Sequence, residues 1–484
     1  MSAKASAIVQ KVWNYAHVLK DDGLAFMDYT EQITYLIFLK LASEQGGKQG
    51  NCQIPTRYGW DKIKAIPDNE KLAETYQRAL KKLSEQPGLL GLIFTKPQSK
   101  INDPAKLRRL IEMIDAEEWS SLDFDVKGEI YEGLLARNAE DVRGGAGQYF
   151  TPRPIIRAIV QVMRPEPLMR IADPACGTGG FLLAAYEYLL ESNPGLDRKT
   201  QRFLNERAIR GTDIVPSVAR LCAMNLYLHG LGGGDETLIE ISDSLATKPA
   251  PVDMVLTNPP FGKKSSFTVI ADDGKRETEK IYYERKDFWV TTSNKQLNFV
   301  QNVYSMLRDT GTAAVVVPDN VLFEAGAGEK IRRALLEHCD VHTLLRLPTG
   351  IWYATGVKAN VLFFDKKPAA KTPRTKELWV YDLRTNQNFT LRQNPIADDD
   401  LKDFVQCYHT AKRSKRKESE RFKRFTYADL MARDKANLDI FWLKDDSLAD
   451  TENLPKPAVL AAEIIKDLKE ALEEFSAVEE ELTK

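Results

Sequence analysis

A chain of 484 residues with 43% hydrophobic content has material for two to four domains, at about 100–200 residues each. Its 68 Lys+Arg against 69 Asp+Glu leave a net charge of −1, which excludes steering to nucleic acid by an overall positive field. Cysteines 52, 176, 222, 339 and 407 form no CxxC pair and no run of 18 apolar residues occurs. A disulfide framework, a cysteine zinc site and a membrane-spanning helix are therefore set aside, and a cytoplasmic location is expected.

In chain order, "YTEQITYLIFLKLASEQ" (29–45) places Ile33, Leu36, Ile37 and Leu41 at helical spacing behind a possible Thr30 cap. The same pattern predicts helices over 71–85, 103–119 and 126–140, so residues 1–143 read as a helical N-terminal domain. The glycines of "DVRGGAGQ" (141–148) mark a linker. Seven short apolar runs follow, at 168–173, 209–213, 238–242, 252–257, 312–317, 341–346 and 360–365. Helical stretches at 180–192, 215–229, 295–308 and 327–338 separate most of them. Such alternation predicts an α/β domain over 144–370, with a seven-stranded, mainly parallel sheet covered on both faces. The segment 263–294 breaks the rhythm and reads as a long loop, functional or disordered. Residues 371–484 form a C-terminal region in which the basic run 412–424 reads equally as a phosphate contact or a solvated loop. Its last part, 457–484, predicts an amphipathic helix with the seam Leu460, Ile464, Leu468, Leu472, Phe475, Val478 and Leu482, suited to packing on a partner helix or on its own domain.

Chemistry concentrates at strand ends. Asp173-Pro-Ala-Cys-Gly177-Thr178-Gly179-Gly180 closes one strand and opens a helix, a turn in which glycines let the backbone approach a ligand. An acid just before the loop sits poorly against a pyrophosphate and well against a ligand carrying an amino group and a positive centre, such as S-adenosyl-L-methionine. Asp213 ends the next strand, where a ribose diol is gripped or a helix is capped. Asp243 and Ser244 end the third, where a carboxylate accepts from an adenine amine or caps a turn. After the fourth strand, Asn258-Pro259-Pro260-Phe261 holds a carboxamide and a main-chain carbonyl on a stiff corner beside an aromatic ring. Two such acceptors engage both protons of an exocyclic amine and draw its lone pair out of conjugation, while Phe261 offers a stacking face. The corner fits an amine presented to a methyl donor.

"DPACGTGG" followed by "NPPF" resembles the S-adenosylmethionine-dependent amino-methyltransferases, and Asn in the first position points to adenine N6. With "GQYFTPRPIIRAIV" (147–160), "GTDIVPSVARLCAMNLYLHG" (211–230) and "GVKANVLFFDK" (356–366), the chain resembles the modification (M) subunit of type I restriction–modification systems over nearly its whole length. The resemblance implies that Gln148, Tyr149, Phe150, Thr151, Pro152 and Arg153 lie over the cofactor, that Thr178, Gly179 and Gly180 form its glycine loop, and that Asp213 binds its ribose. It implies double-stranded DNA as substrate with the target base flipped out of the stack. It also implies a specificity (S) subunit bound by two M chains, and a restriction (R) subunit in the full complex. No HExxH, P-loop or nuclease carboxylate–lysine cluster is visible, and no metal is expected. The rival readings are a methyltransferase for RNA or protein glutamine using the same corner, and a non-enzymatic scaffold.

Overall fold

The sheet is built around its first strand. In the computed structural model, which describes residues 10–11, 14–15, 26–44, 54–97, 99–117, 119, 151–232, 236–261, 266–270, 276–352, 357–391, 393–409 and 412–444, β1 (Ile171–Asp173) lies between β2 (Ile209–Asp213) and β4 (Val252–Thr257). The remaining strands are β3 (Ile239–Ile241), β5 (Leu307–Pro318), β6 (Cys339–Arg346), β7 (Ala359–Lys366), β8 (Glu377–Asp382) and β9 (Phe422–Thr426), in the spatial order β3-β2-β1-β4-β5-β7-β6-β8-β9. β7 runs antiparallel between β5 and β6, and β9 is antiparallel to β8. The chain winds outward from β1 in both directions, which opens a crevice at the carboxyl ends of the strands on either side of it. The registers Asp173↔Gly211 and Asp213↔Ile241 bring the strand-end acids to that edge.

Each of the seven expected runs contains a strand, but the sheet has nine. The additional pair lies where the sequence alternation had lapsed. β8 is a single apolar run buried from Leu378 to Asp382, while β9, "FKRFT", interleaves Lys and Arg with Phe and buries only Phe422. The basic run that contains β9 is largely committed to internal bonds. Arg416 is buried and donates to Tyr408 O at 2.7 Å and His342 O at 3.0 Å; Arg421 donates to Asp382 O at 2.9 Å, and Arg413 pairs with Asp365.

The N-terminal helices form as their spacing predicts. α1 (Phe26–Glu44), α2 (Asn69–Ser84), α3 (Gly88–Ile93) and α4 (Pro104–Asp115) enclose a shared core. Asp68 and Asp103 cap α2 and α4 by accepting from Lys71 N and Ala105 N, each at 2.8 Å. α2 buries Leu72, Tyr76, Ala79, Leu80 and Leu83, one helical face. Four further helices flank the crevice: α5 (Arg153–Met163), α6 (Gly180–Ser192), α7 (Pro216–Leu228) and α8 (Lys295–Met306). Arg220 of α7 pairs with Glu31 of α1 at 2.5 Å and donates to Tyr35 Oη at 3.2 Å, with Phe38 against Tyr227 nearby. These helices and the sheet belong to one unit, residues 1–383 and 388–440; residues 384–387 and 441–484 form a second.

Part of the long segment 263–294 pairs as an antiparallel hairpin, Ser266–Ile270 with Arg276–Lys280. The expected helix at 126–140, the residues Gln148, Tyr149 and Phe150, and the C-terminal helix lie outside the described residues. Among the described residues no helix is long and apolar enough to cross a membrane, and no cluster of His, Cys, Asp or Glu suits a metal ion.

Candidate active site

The crevice holds a cleft of about 270 Å³ lined by Ala175, Gly177, Asp213, Asp243, Ser244, Asn258, Pro259 and Pro260, among others. A smaller lobe adjoins it, lined by Thr151, Asp173, Thr178, Gly180 and again Ala175, Gly177 and Asn258. Residues expected to act together from four separate strand ends thus meet around one space, and Asn258 faces both parts of it.

The turn after β1 shows why glycine is needed at each position. Gly177 has φ +54°, and a side chain there would meet nothing within 4 Å, so its backbone is the floor of open space. Gly179, at φ +88°, caps α6, and a Cβ on it would strike Cys222 Sγ at 2.8 Å. Gly180 allows Ile156 and Arg153 of α5 to close over the turn; a Cβ would lie 2.9 Å from Ile156 Cδ1.

The acids are held by the backbone around them. Asp173 is 2% exposed and accepts from Thr257 Oγ1 at 2.6 Å and Ala175 N at 3.0 Å. Burial pushes its carboxyl up to about 7, against those two hydrogen bonds and with help from the charge of Asp213. Asp213 is also raised by burial, although it accepts from Val215 N at 2.8 Å and Gly177 N at 3.1 Å. One carboxylate therefore braces the glycine turn and caps the approach to α7. Asp243 accepts from Leu245 N at 2.9 Å and from the Tyr283 hydroxyl at 2.8 Å.

At the corner after β4, Asn258 Nδ2 donates to Thr151 Oγ1 at 2.9 Å. Pro152 is the N-cap of α5 and Arg153 its first residue. Phe261 does not line the cleft: it is 9% exposed and meets Trp352 edge-on, with ring centroids 5.8 Å apart.

Several cleft residues escaped the sequence reading. Thr257 is the last residue of β4 and carries the hydroxyl that Asp173 accepts; its place before Asn258 was the available signal. Ile214, 64% exposed, and Val215 offer apolar surface beside Asp213. Lys295 and Phe299 arrive on α8. Tyr283 belongs to a segment fastened to the polar face of α8. Gln301 accepts from Val290 N at 2.9 Å and donates to Val290 O at 3.0 Å, while Arg285 donates to Asn302 Oδ1 at 2.7 Å. Nothing local in the sequence pairs Tyr283 with Asp243.

Residues 122–442 match the family described as N-6 DNA Methylase, and residues 8–114 match the HsdM N-terminal domain. The chain belongs to the N-6 DNA methylase family. The methylase is 36% identical to the type I restriction enzyme EcoKI methylase subunit of Escherichia coli (strain K12), over 98% of this chain and 95% of the relative. It is 35% identical to the StySJI methylase subunit of Salmonella typhimurium over the same shares. The crystal structure of the EcoKI M protein covers 99% of this chain and 96% of its own, at 32% identity and a TM-score of 0.55. The chain is thus the modification subunit of a type I restriction–modification system, an S-adenosylmethionine-dependent enzyme that methylates adenine N6 in DNA. The RNA and protein-glutamine readings are not favoured.

Proposed function

We propose that the methylase binds S-adenosyl-L-methionine along the two-part cleft and receives a flipped adenine of double-stranded DNA at Asn258. The residues fit the cofactor. Gly177 offers backbone beside open space, Asp213 and Asp243 offer carboxylates to a ribose and an adenine amine, and Ile214, Val215 and Leu245 offer apolar cover. Asp173, with Thr151, Thr178 and Gly180 around the smaller lobe, suits the ammonium end, and Ser244 lines the larger part. The resemblance assigns Gln148, Tyr149, Phe150, Pro152 and Arg153 to the cofactor's cover and Gly179 to its glycine loop. Tyr283 positions the Asp243 carboxylate. The cofactor supplies an electrophilic methyl group.

The protein's contribution is placement and polarity. Asn258 Oδ1 and the Pro259 carbonyl accept the two N6 protons, and Pro260 keeps the corner from relaxing. The lone pair would then localise on N6, ready to form the N–C bond as the sulfonium S–C bond breaks and a neutral thioether leaves, with the surplus N6 proton lost to water. Phe261, buried edge-on against Trp352, would have to turn toward the cleft to stack on the base, a contact worth about 1–3 kcal/mol.

The observation that carries this reading is the position of Asn258 on both lobes at once. Asn258→Ala should lower single-turnover methylation of DNA by roughly 10²–10³-fold, the usual effect of removing one preorganised polar group. Cofactor affinity by calorimetry should stay near wild type. Retained turnover would overturn the assignment.

The type I relatives and a solved structure titled for complex assembly of a type I system support further parts of the reading. Residues 1–143 serve as a helical domain, 144–370 carry the catalytic cleft, and 371–484 supply the last two strands of the same sheet and end in a partner-binding helix. Two methylase chains join one specificity subunit, a restriction subunit completes the complex, and the assembly works in the cytoplasm.

A further inference from the structure

An asparagine that must act as an acceptor has a problem that the Pro-Pro corner does not solve. Its carboxamide is an acceptor at one end and a donor at the other, and a half-turn about the terminal torsion exchanges them. Turned the wrong way, Asn258 would aim N–H groups at the N–H groups of adenine. The prolines fix the main chain and leave this torsion open.

From the Asn258–Thr151 bond we infer that Thr151 is the positioning residue that anchors the carboxamide: with Nδ2 on its hydroxyl, Oδ1 is the end left for the substrate amine. Thr151 Oγ1 takes the Nδ2 hydrogen at 2.9 Å. The hydroxyl is itself well placed for the task. Thr151 precedes Pro152, which confines its backbone to the extended region, and its branched side chain restricts the first torsion. Pro152 then caps α5, whose Ile155, Ile156 and Ile159 are buried. Ile156 also meets the glycine turn, since a Cβ on Gly180 would lie 2.9 Å from its Cδ1. The hydroxyl is thus registered against the cofactor turn and the catalytic corner by the same helix.

This inference rests on Asn258 being the acceptor, and it separates Thr151 from a residue that merely covers cofactor. The test uses the full-length chain in the assembly that supports wild-type methylation, with Thr151→Val (same shape, no acceptor), Thr151→Ala and Thr151→Ser. Val and Ala should each lower the single-turnover rate at saturating cofactor at least tenfold, with cofactor Kd within threefold of wild type and an unchanged unfolding midpoint. Ser, which keeps the hydroxyl, should stay within threefold in rate. A Val variant that binds cofactor weakly yet turns over normally when saturated would overturn the inference in favour of a cofactor contact. Equal rates for Val and wild type would overturn it as well. Retained turnover in Asn258→Ala is a distinct result that removes the underlying reading instead.

Discussion

Asp173 shows how one buried side chain ties cofactor binding to pH. Its carboxyl, pushed up to about 7 by burial, is largely protonated in the folded protein below that pH. A bound ammonium beside it favours the ionised form, so binding should release protons near neutrality. Cofactor affinity should then rise with pH between about 6 and 8, by at most tenfold per unit. Calorimetry in buffers of different ionisation enthalpy reads both the affinity and the proton count. Asp173→Asn should flatten the profile, and a flat wild-type profile would remove Asp173 from the ammonium site. The sign for stability is opposite. A carboxyl raised in the folded state contributes stability that is present below its ordinary value near 4 and is lost as pH rises through about 7. Without cofactor, Asp173→Asn should therefore be more stable than wild type at pH 8, by roughly 2–4 kcal/mol at 1.4 kcal/mol per unit, with the gain shrinking toward pH 5 in denaturant titrations.

Elements show which parts of a sequence speak for themselves. The seven strand runs and the helices between them were legible because strands buried on both faces read as unbroken apolar runs, and amphipathic helices repeat every third or fourth residue. That the strand-end acids meet around one cleft was legible because strand ends in such sheets are where ligands bind. β9 was not, since an edge strand alternates charge with ring and looks like a basic loop; β8, although a plain apolar run, lies beyond the point where the strand–helix alternation stops. Tyr283 and the Thr257–Asp173 bond were hidden because they join residues far apart in the chain. Nor does the sequence distinguish a lysine or arginine reaching for phosphate from one stapling a strand. The structure divides the basic run accordingly. Arg416→Ala removes two buried hydrogen bonds to carbonyls and the guanidinium over the Tyr408 ring, so it should destabilise by about 2–4 kcal/mol, while leaving the salt dependence of DNA binding unchanged. Lys412, Lys415 and Lys417 are exposed, and we assign any phosphate contact of this run to them. Their Ala variants should each reduce the slope of log K against log salt by about 0.9 for every phosphate no longer neutralised. Slopes that move with Arg416 and not with the lysines would reverse this division.

For the whole molecule, charge and packing set different limits. A net charge of −1 supplies no long-range pull toward DNA, so affinity must come from local groups or from a partner. The N-terminal helices and the sheet lie in one unit, joined through the Arg220–Glu31 pair and the Phe38–Tyr227 contact, and the cleft proposed for the cofactor lies within that unit. The seam proposed for partner binding, at 457–484, shares no residue with the cleft lining, so partner binding and cofactor binding should be separable. Replacing Leu468 and Leu472 by Glu places two charges on that seam and should abolish association with a specificity subunit while leaving cofactor Kd within twofold. Light scattering of the wild-type mixture should give the mass of two methylase chains on one specificity subunit, and the variant should give the free chains. Because helix packing of this kind depends on an unbroken apolar seam, a double variant that still assembles at full stoichiometry would move the docking surface to another part of the chain.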